Sequence, residues 1–122
     1  MDSSAILASL QNEKGALLIG PLLAGTLLST VNLAEVHTKL LNQGLAPAYA
    51  WKQISGMNCE VCHFTEEQAK TAAELVPTTR PYGLSLGDRA CLALAIERKA
   101  KVLTADRIWQ NLSLGIEIEV IR

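Results

Sequence analysis

The sequence predicts an α/β sandwich, with helices on both faces of a mainly parallel sheet, and three observations carry that expectation. Short strand-like runs alternate with stretches of helical period along the whole chain. The clearest of these runs, TLLS and VLTA, are short and apolar, as strands covered on both faces require. At 122 residues the chain is long enough for one core but not two, so the elements belong to a single domain, residues 1–122.

Ser3 or Ser4 caps a first helix, in which Ile6, Leu7 and Leu10 recur at helical spacing and which ends near Lys14-Gly15. Residues 16–24 form a second short helix. From Gly15 to Ala34 no residue is charged, and the run is about as long as a membrane span, roughly 20 residues. Gly20-Pro21 and Gly25 interrupt it, and acids rather than a basic region precede it. It therefore reads as a helix followed by the buried strand TLLS at 26–29, with a membrane span as the minor alternative.

Ser29 or Thr30 caps the helix through VNLAEVHTKLLNQG, closed by Gly44, with Leu33, Val36, Leu40 and Leu41 as its buried stripe. Ala46-Pro47 opens a helix to Gly56, and NCEVCHF alternates like a strand. Thr65 with Glu67 and Gln68 resembles a capping box, opening a helix to about Val76-Pro77, and TTRPYG reads as a loop. A strongly periodic helix begins at Ser85 or Leu86 and carries GDRACLALAIERKAK. VLTA follows as a strand, DRIWQNL as a helical turn and IEIEVI as the last strand.

A formal net charge of −1 excludes a global positive field that would grip nucleic acid by bulk electrostatics. Any such contact is local or assisted by a metal ion. Three cysteines without secretory context fit reduced thiols in the cytoplasm better than a disulfide framework. Cys59-x-x-Cys62 followed by His63 raises zinc or redox chemistry, but only His37 and Cys91 remain as further ligands. Buried free thiols are expected instead.

In a parallel α/β fold ligands gather beyond the carboxyl ends of the strands, so acids there matter most. Asp106 directly follows VLTA, and alone it is either a site residue or the cap of the next turn. Asp88 opens the long helix on the face of Cys91, Leu92 and Ala95, where a carboxylate is costly without a cation. Glu35 pairs by spacing with Lys39, and Asp2 is either a helix cap or a first ligand. Together, Asp2, Glu35, Asp88 and Asp106 fall at strand ends or the helices after them. Such a cluster suits Mg²⁺ or Mn²⁺, which take oxygen ligands, rather than zinc. An ion of this kind activates water and neutralises charge on a phosphoryl group, so phosphodiester hydrolysis is the expected reaction.

The stretches DSSAILASLQNE, STVNLAEV, LSLGDRACLALA and VLTADRIW, in this order and spacing, closely resemble the PIN-domain ribonucleases, particularly the toxin member of bacterial VapBC-type toxin–antitoxin pairs. The resemblance covers essentially the whole chain. It implies an α/β/α sandwich, a metal-dependent endoribonuclease leaving a 5′-phosphate and a 3′-hydroxyl, a small antitoxin partner and a homodimer. Position by position it makes Asp2, Glu35, Asp88 and Asp106 the catalytic, metal-holding acids, with Ser4 and Thr104 orienting carboxylates beside them. The family's first acid normally follows several apolar residues of a central strand, whereas only Met1 precedes Asp2, so either the start is assigned too late or the first strand is shortened.

Arg80, Arg89 and Arg107 flank the expected site, and Arg89 and Arg107 are candidates for RNA phosphates. Trp109 is assigned to the core, and Tyr49 and Trp51 to packing or a dimer face. Two other classes compete with the nuclease. One is a non-catalytic PIN scaffold, which would bind metal without turnover. The other is a phospho-acceptor receiver domain, which needs adjacent acids after its first strand and a lysine after its last, both missing here.

Overall fold

A computed structural model of the chain describes residues 1–10 and 25–121. The expected helix at 16–24, and any continuation of the first helix to Gly15, lie outside those residues. Helix α1 covers Ser3–Leu10, strand β1 Leu27–Ser29, α2 Thr30–Asn42, α3 Pro47–Ser55 and strand β2 Glu60–Cys62. Then come α4 over Glu66–Glu74, the single turn α5 over Val76–Thr79, α6 over Leu86–Arg98, strand β3 over Val102–Thr104 and strand β4 over Ile118–Val120. Short 3-10 turns occupy Arg80–Tyr82 and Arg107–Asn111. No helix among the described residues is long and apolar enough to cross a membrane.

Among the described residues the strands form two parallel pairs. Leu27, Leu28 and Ser29 stand opposite Glu60, Val61 and Cys62, and Val102, Leu103 and Thr104 opposite Ile118, Glu119 and Val120. Met1 and Asp2 bridge the pairs, for the Met1 amino group donates to Leu27 O at 2.9 Å and the Asp2 amide to Leu103 O at 3.1 Å.

Both faces of this sheet are covered. Leu103 joins Ile6, Leu28, Val36, Leu40 and Ile54 in a core beneath α1, α2 and α3. Its neighbour Val102, turned to the other face by strand alternation, joins Leu75, Leu92 and Trp109 under α6. Ile6, Leu28 and Leu92 are each at most 1% exposed, and burying such a side chain is worth about 1.5–3 kcal/mol. Trp109 is fully buried, as expected.

Sequence signals set most element ends. Ser29 Oγ accepts from the Val31 amide and Thr65 Oγ1 from the Gln68 amide, each capping the helix that follows. Pro47 opens α3. Three expectations are corrected. The cap of α1 is Asp2, whose Oδ1 accepts the Ala5 amide at 3.0 Å, rather than Ser3 or Ser4. TTRPYG is mostly helical, because Pro77 and Pro81 preset the backbone at the start of successive turns and Gly83, at φ 67°, ends them. Leu41 is 37% exposed, since the buried stripe of α2 follows Asn32, Val36 and Leu40 instead.

Candidate active site

Asp2 lies at the carboxyl edge of the sheet, at the bridge between the strand pairs. Its carboxylate is 3% exposed and collects three donors: Ser4 Oγ at 2.7 Å and the Ala5 amide at 3.0 Å on Oδ1, and Thr104 Oγ1 at 2.8 Å on Oδ2. Burial pushes its pKa up, these hydrogen bonds pull it down, and the charge of Asp88 pushes it up again. Thr104 is itself fully buried at the end of β3 and accepts the Asp106 amide at 3.0 Å. Ser4 accepts the Ala105 amide at 3.0 Å. The two hydroxyls therefore tie Asp2 to the residues that follow β3.

Glu35 stands one turn into α2. It makes no ion pair with Lys39; instead Ser3 Oγ donates to its Oε1 at 2.5 Å and Asn32 Nδ2 donates to the same atom at 3.0 Å. Asn32 Nδ2 also reaches Gly87 O at 3.0 Å, tying α2 to the start of α6. A Cβ built on Gly87 would overlap the Glu35 carboxylate, so glycine there is what admits Glu35 to this edge.

Asp88 closes a capping box, its Oδ2 accepting the Ser85 amide at 2.8 Å while Ser85 Oγ accepts the Asp88 amide. Burial pushes its pKa up, the bonds to Ser85 lower it, and the charges of Glu35 and Asp106 raise it further. Asp106 is exposed, and its Oδ1 accepts the Ile108 amide at 3.1 Å. Three of the acids thus serve as helix or turn caps while also facing one another electrostatically. The capping and site readings of Asp2, Asp88 and Asp106 are not exclusive.

Mutual repulsion among oxygen donors is the chemistry that a hard divalent cation relieves. Asn32 Oδ1 adds a buried acceptor that takes no hydrogen bond from any described residue. That donor set fits Mg²⁺ or Mn²⁺. Among the described residues, however, no three His, Cys, Asp or Glu side chains close around a single point.

The arginines divide. Arg89 Nη1 is tied to Ala72 O at 3.0 Å, whereas Arg107 is exposed and lines a shallow cleft with Ser4, Ala105 and Asp106. Cys59, Cys62 and Cys91 are free thiols, and burial pushes that of Cys91 up to about 12. Tyr49 and Trp51 are about half exposed, and Trp51 packs tilted against His37 at 5.4 Å.

From the sequence Ser3 was read only as a cap candidate, and Asn32 and Gly87 were given no role. The signal for Asn32 was its position three residues before Glu35, on the same helix face. That for Gly87 was a glycine inside the first turn of a helix, which marks a close approach when it is not a cap.

Two solved structures share this fold. One is the DNA-bound VapBC complex of Salmonella typhimurium, at TM-score 0.77 and 19% identity over 99% of this chain and 96% of that one. The other is VapBC2 of Rickettsia felis bound to a DNA fragment from their promoter, at TM-score 0.73 and 16% identity over 97% and 93%. No curated protein sequence matches the chain. Residues 1–113 match the family model of the PIN domain, so with the acidic edge and the parallel strands already in place, the chain belongs to the PIN domain family.

Proposed function

We propose that this chain is a metal-dependent endoribonuclease and the toxin of a VapBC-type toxin–antitoxin pair. The observation that carries the reading is the electrostatic meeting of Asp2, Glu35, Asp88 and Asp106 at one sheet edge, with burial and mutual repulsion raising the pKa of Asp2 and Asp88. PIN domains are generally nucleases, and the structural neighbours are VapBC complexes.

In this reading Asp2, Glu35, Asp88 and Asp106 hold Mg²⁺ or Mn²⁺, directly or through water. When bound, the ion supplies an activated water and neutralises the charge that builds on the scissile phosphate. Ser4 and Thr104 keep Asp2 in one orientation, and Ser3 and Asn32 do the same for Glu35, so these ligands need little reorganisation. Arg107 is free to take an RNA phosphate beside Asp106, and Arg89, partly committed to α4, is the weaker candidate. Cleavage leaves a 5′-phosphate and a 3′-hydroxyl. The partner is a small antitoxin that covers the acidic cleft, the assembly is a homodimer, and the protein works in the cytoplasm, where its RNA substrate is.

Asp88→Asn keeps an acceptor for the Ser85 amide and removes a charge. It is expected to abolish EDTA-sensitive RNA cleavage while leaving the thermal transition intact. Undiminished cleavage, with contaminating nuclease excluded, would sink the assignment. The open spacing of the acids also favours a second reading, a binding scaffold without turnover. Mn²⁺ binding with no cleavage of any RNA pool would select it.

A further inference from the structure

Between the start of α6 and the two short turns before it lies an open cleft of about 390 Å³, lined by Val76, Thr79, Arg80, Gly83, Leu84 and Arg89. That volume is in the range of ligand sites, roughly 300–1,000 Å³. Pro77 and Pro81 start the turns of one wall, and Gly83, at φ 67°, ends them, which brings Arg80 into the same cleft as Arg89. Buried Thr79 pins this wall, its amide and Oγ1 both donating to Leu75 O, at 3.0 and 2.8 Å. The Gly83 amide returns to Arg80 O at 3.0 Å. Local hydrogen bonds therefore fix the backbone that carries Arg80.

Two cations meet in this cleft, and no acid lines it. Arg80 is exposed, and its side chain makes no hydrogen bond or ion pair with any described residue. Arg89 is half-buried, and its guanidinium makes one bond among the described residues, from Nη1 to Ala72 O at 3.0 Å. That bond satisfies a carbonyl in the last turn of α4, but it uses one N–H of a group that carries several. Capping α4 explains neither the remaining donors of Arg89 nor the placement of Arg80 beside it. Like charges in one cleft repel, and a half-buried cation without a counter-ion is costly. An anion relieves both. The planar guanidinium matches a phosphate through paired N–H bonds, so a phosphate suits the cleft better than a monatomic ion does.

The cleft and the acidic edge share one stretch of chain. Leu84 precedes Ser85, whose amide donates to Asp88 Oδ2 at 2.8 Å, and Arg89 directly follows Asp88. An RNA strand whose scissile phosphate sits at Asp88 thus carries a neighbouring phosphate past the cleft. We infer that this cleft is a phosphate subsite, in which Arg80 and Arg89 clamp a backbone phosphate of the RNA flanking the scissile bond while Val76 and Leu84 pack on the adjoining ribose. Arg89 then acts with Arg80, and Arg107 acts alone on the other side of the acids. Such a contact positions the strand and carries no base preference. The inference rests on the nuclease reading for the source of the phosphate.

The experiment measures binding of a mixed-sequence single-stranded RNA, about 12 nucleotides long, in EDTA across a series of salt concentrations. Arg80 is the position to change, because it is exposed and caps nothing. Arg80→Ala is expected to weaken binding by about tenfold and to lower the slope of log K against log salt by about 0.7, one phosphate contact on a single strand. Arg80→Lys should restore the slope but not the full affinity, since it keeps the charge and loses the fork. With Mn²⁺ added, Arg80→Ala should raise KM by a similar factor and leave kcat within about twofold. An unchanged slope and affinity in Arg80→Ala would overturn the inference. So would a parent chain that binds inorganic phosphate, read from the Arg80 and Arg89 Nε signals in NMR, yet holds no RNA at about 50 mM salt. Displacement of the RNA by hexaglutamate at lower concentration than by inorganic phosphate would assign the cleft to an acidic protein segment and also overturn it. The binding arm contains no metal ion, so absence of cleavage with RNA binding intact would sink the nuclease reading alone, and cleavage with Arg80 silent would sink the subsite alone.

Discussion

Asp2 and Asp106 sit on either side of Thr104, whose hydroxyl donates to Asp2 at 2.8 Å and accepts from the Asp106 amide at 3.0 Å, yet the two carboxylates face different surroundings. Asp2 is buried and surrounded by three donors, while Asp106 is exposed and takes a single amide from the turn that it caps. A carboxylate removed from water has to be met by fixed donors, and those donors also fix its direction. A carboxylate left in water keeps its freedom and can adjust to an ion or a substrate. One sheet edge thus combines a rigid acid with an adaptable one, and Thr104 couples them.

Alanine at each of these two acids tests the contrast most strongly. Both variants should lose at least about 100-fold in RNA cleavage, because even the neighbours of metal ligands cost about 10–100-fold. Only Asp2→Ala should also lose about 1–3 kcal/mol in urea unfolding, since it strands the Ser4 and Thr104 hydroxyls and uncaps α1. Asp106→Ala should stay within about 1 kcal/mol of the parent. Equal destabilisation by the two would break the distinction.

Gly87→Ala sharpens the same point on the Glu35 side. The added methyl displaces the flexible end of Glu35, while alanine suits a helix better than glycine by up to about 1 kcal/mol. Cleavage should fall by about tenfold or more with Tm unchanged or raised. A drop in both would mean that the methyl disturbs the backbone rather than the carboxylate.

Stability against pH gives a smaller effect with a definite sign. Asp2 and Asp88 have pKa values raised above 3.8 by burial, so the folded chain holds more protons than the unfolded one as pH climbs past that value. Metal-free protein should therefore lose stability as pH rises through the raised values, and Asp88→Asn should flatten the slope. Urea unfolding at stepped pH values checks it, and a slope of opposite sign would contradict the burial argument. Smallest is the response of the thiols. Cys59, which is half-buried, should react with iodoacetamide at pH 8 before Cys91, whose thiol is held near 12.

Much of this fold was legible in the chain because its signals are local. Ser29, Thr65 and Pro47 set helix starts through bonds or backbone angles within a few residues, and the apolar runs LLS and VLT mark strands buried on both faces. Leu41 and the TTRPYG turns were misread for the opposite reason. Which of two adjacent leucines faces the core depends on where the neighbouring helix packs, and two prolines in a polar stretch suit a helical turn as well as a loop.

The acids at strand ends, and the oxygen-ligand chemistry they suit, could be proposed from residue types and order alone. Only tertiary structure decided that Ser4 and Thr104 both bond to Asp2, a contact spanning 102 positions for Thr104, and that Asn32 and Gly87 shape the place of Glu35 across 55 positions. It alone also decided that, among the described residues, Met1 and Asp2 bridge the two strand pairs through Leu27 O and Leu103 O. Caps and periods are written within one or two helical turns and can be read along the chain. Hydrogen bonds between elements, and the spaces left between strands, exist only once distant segments pack together.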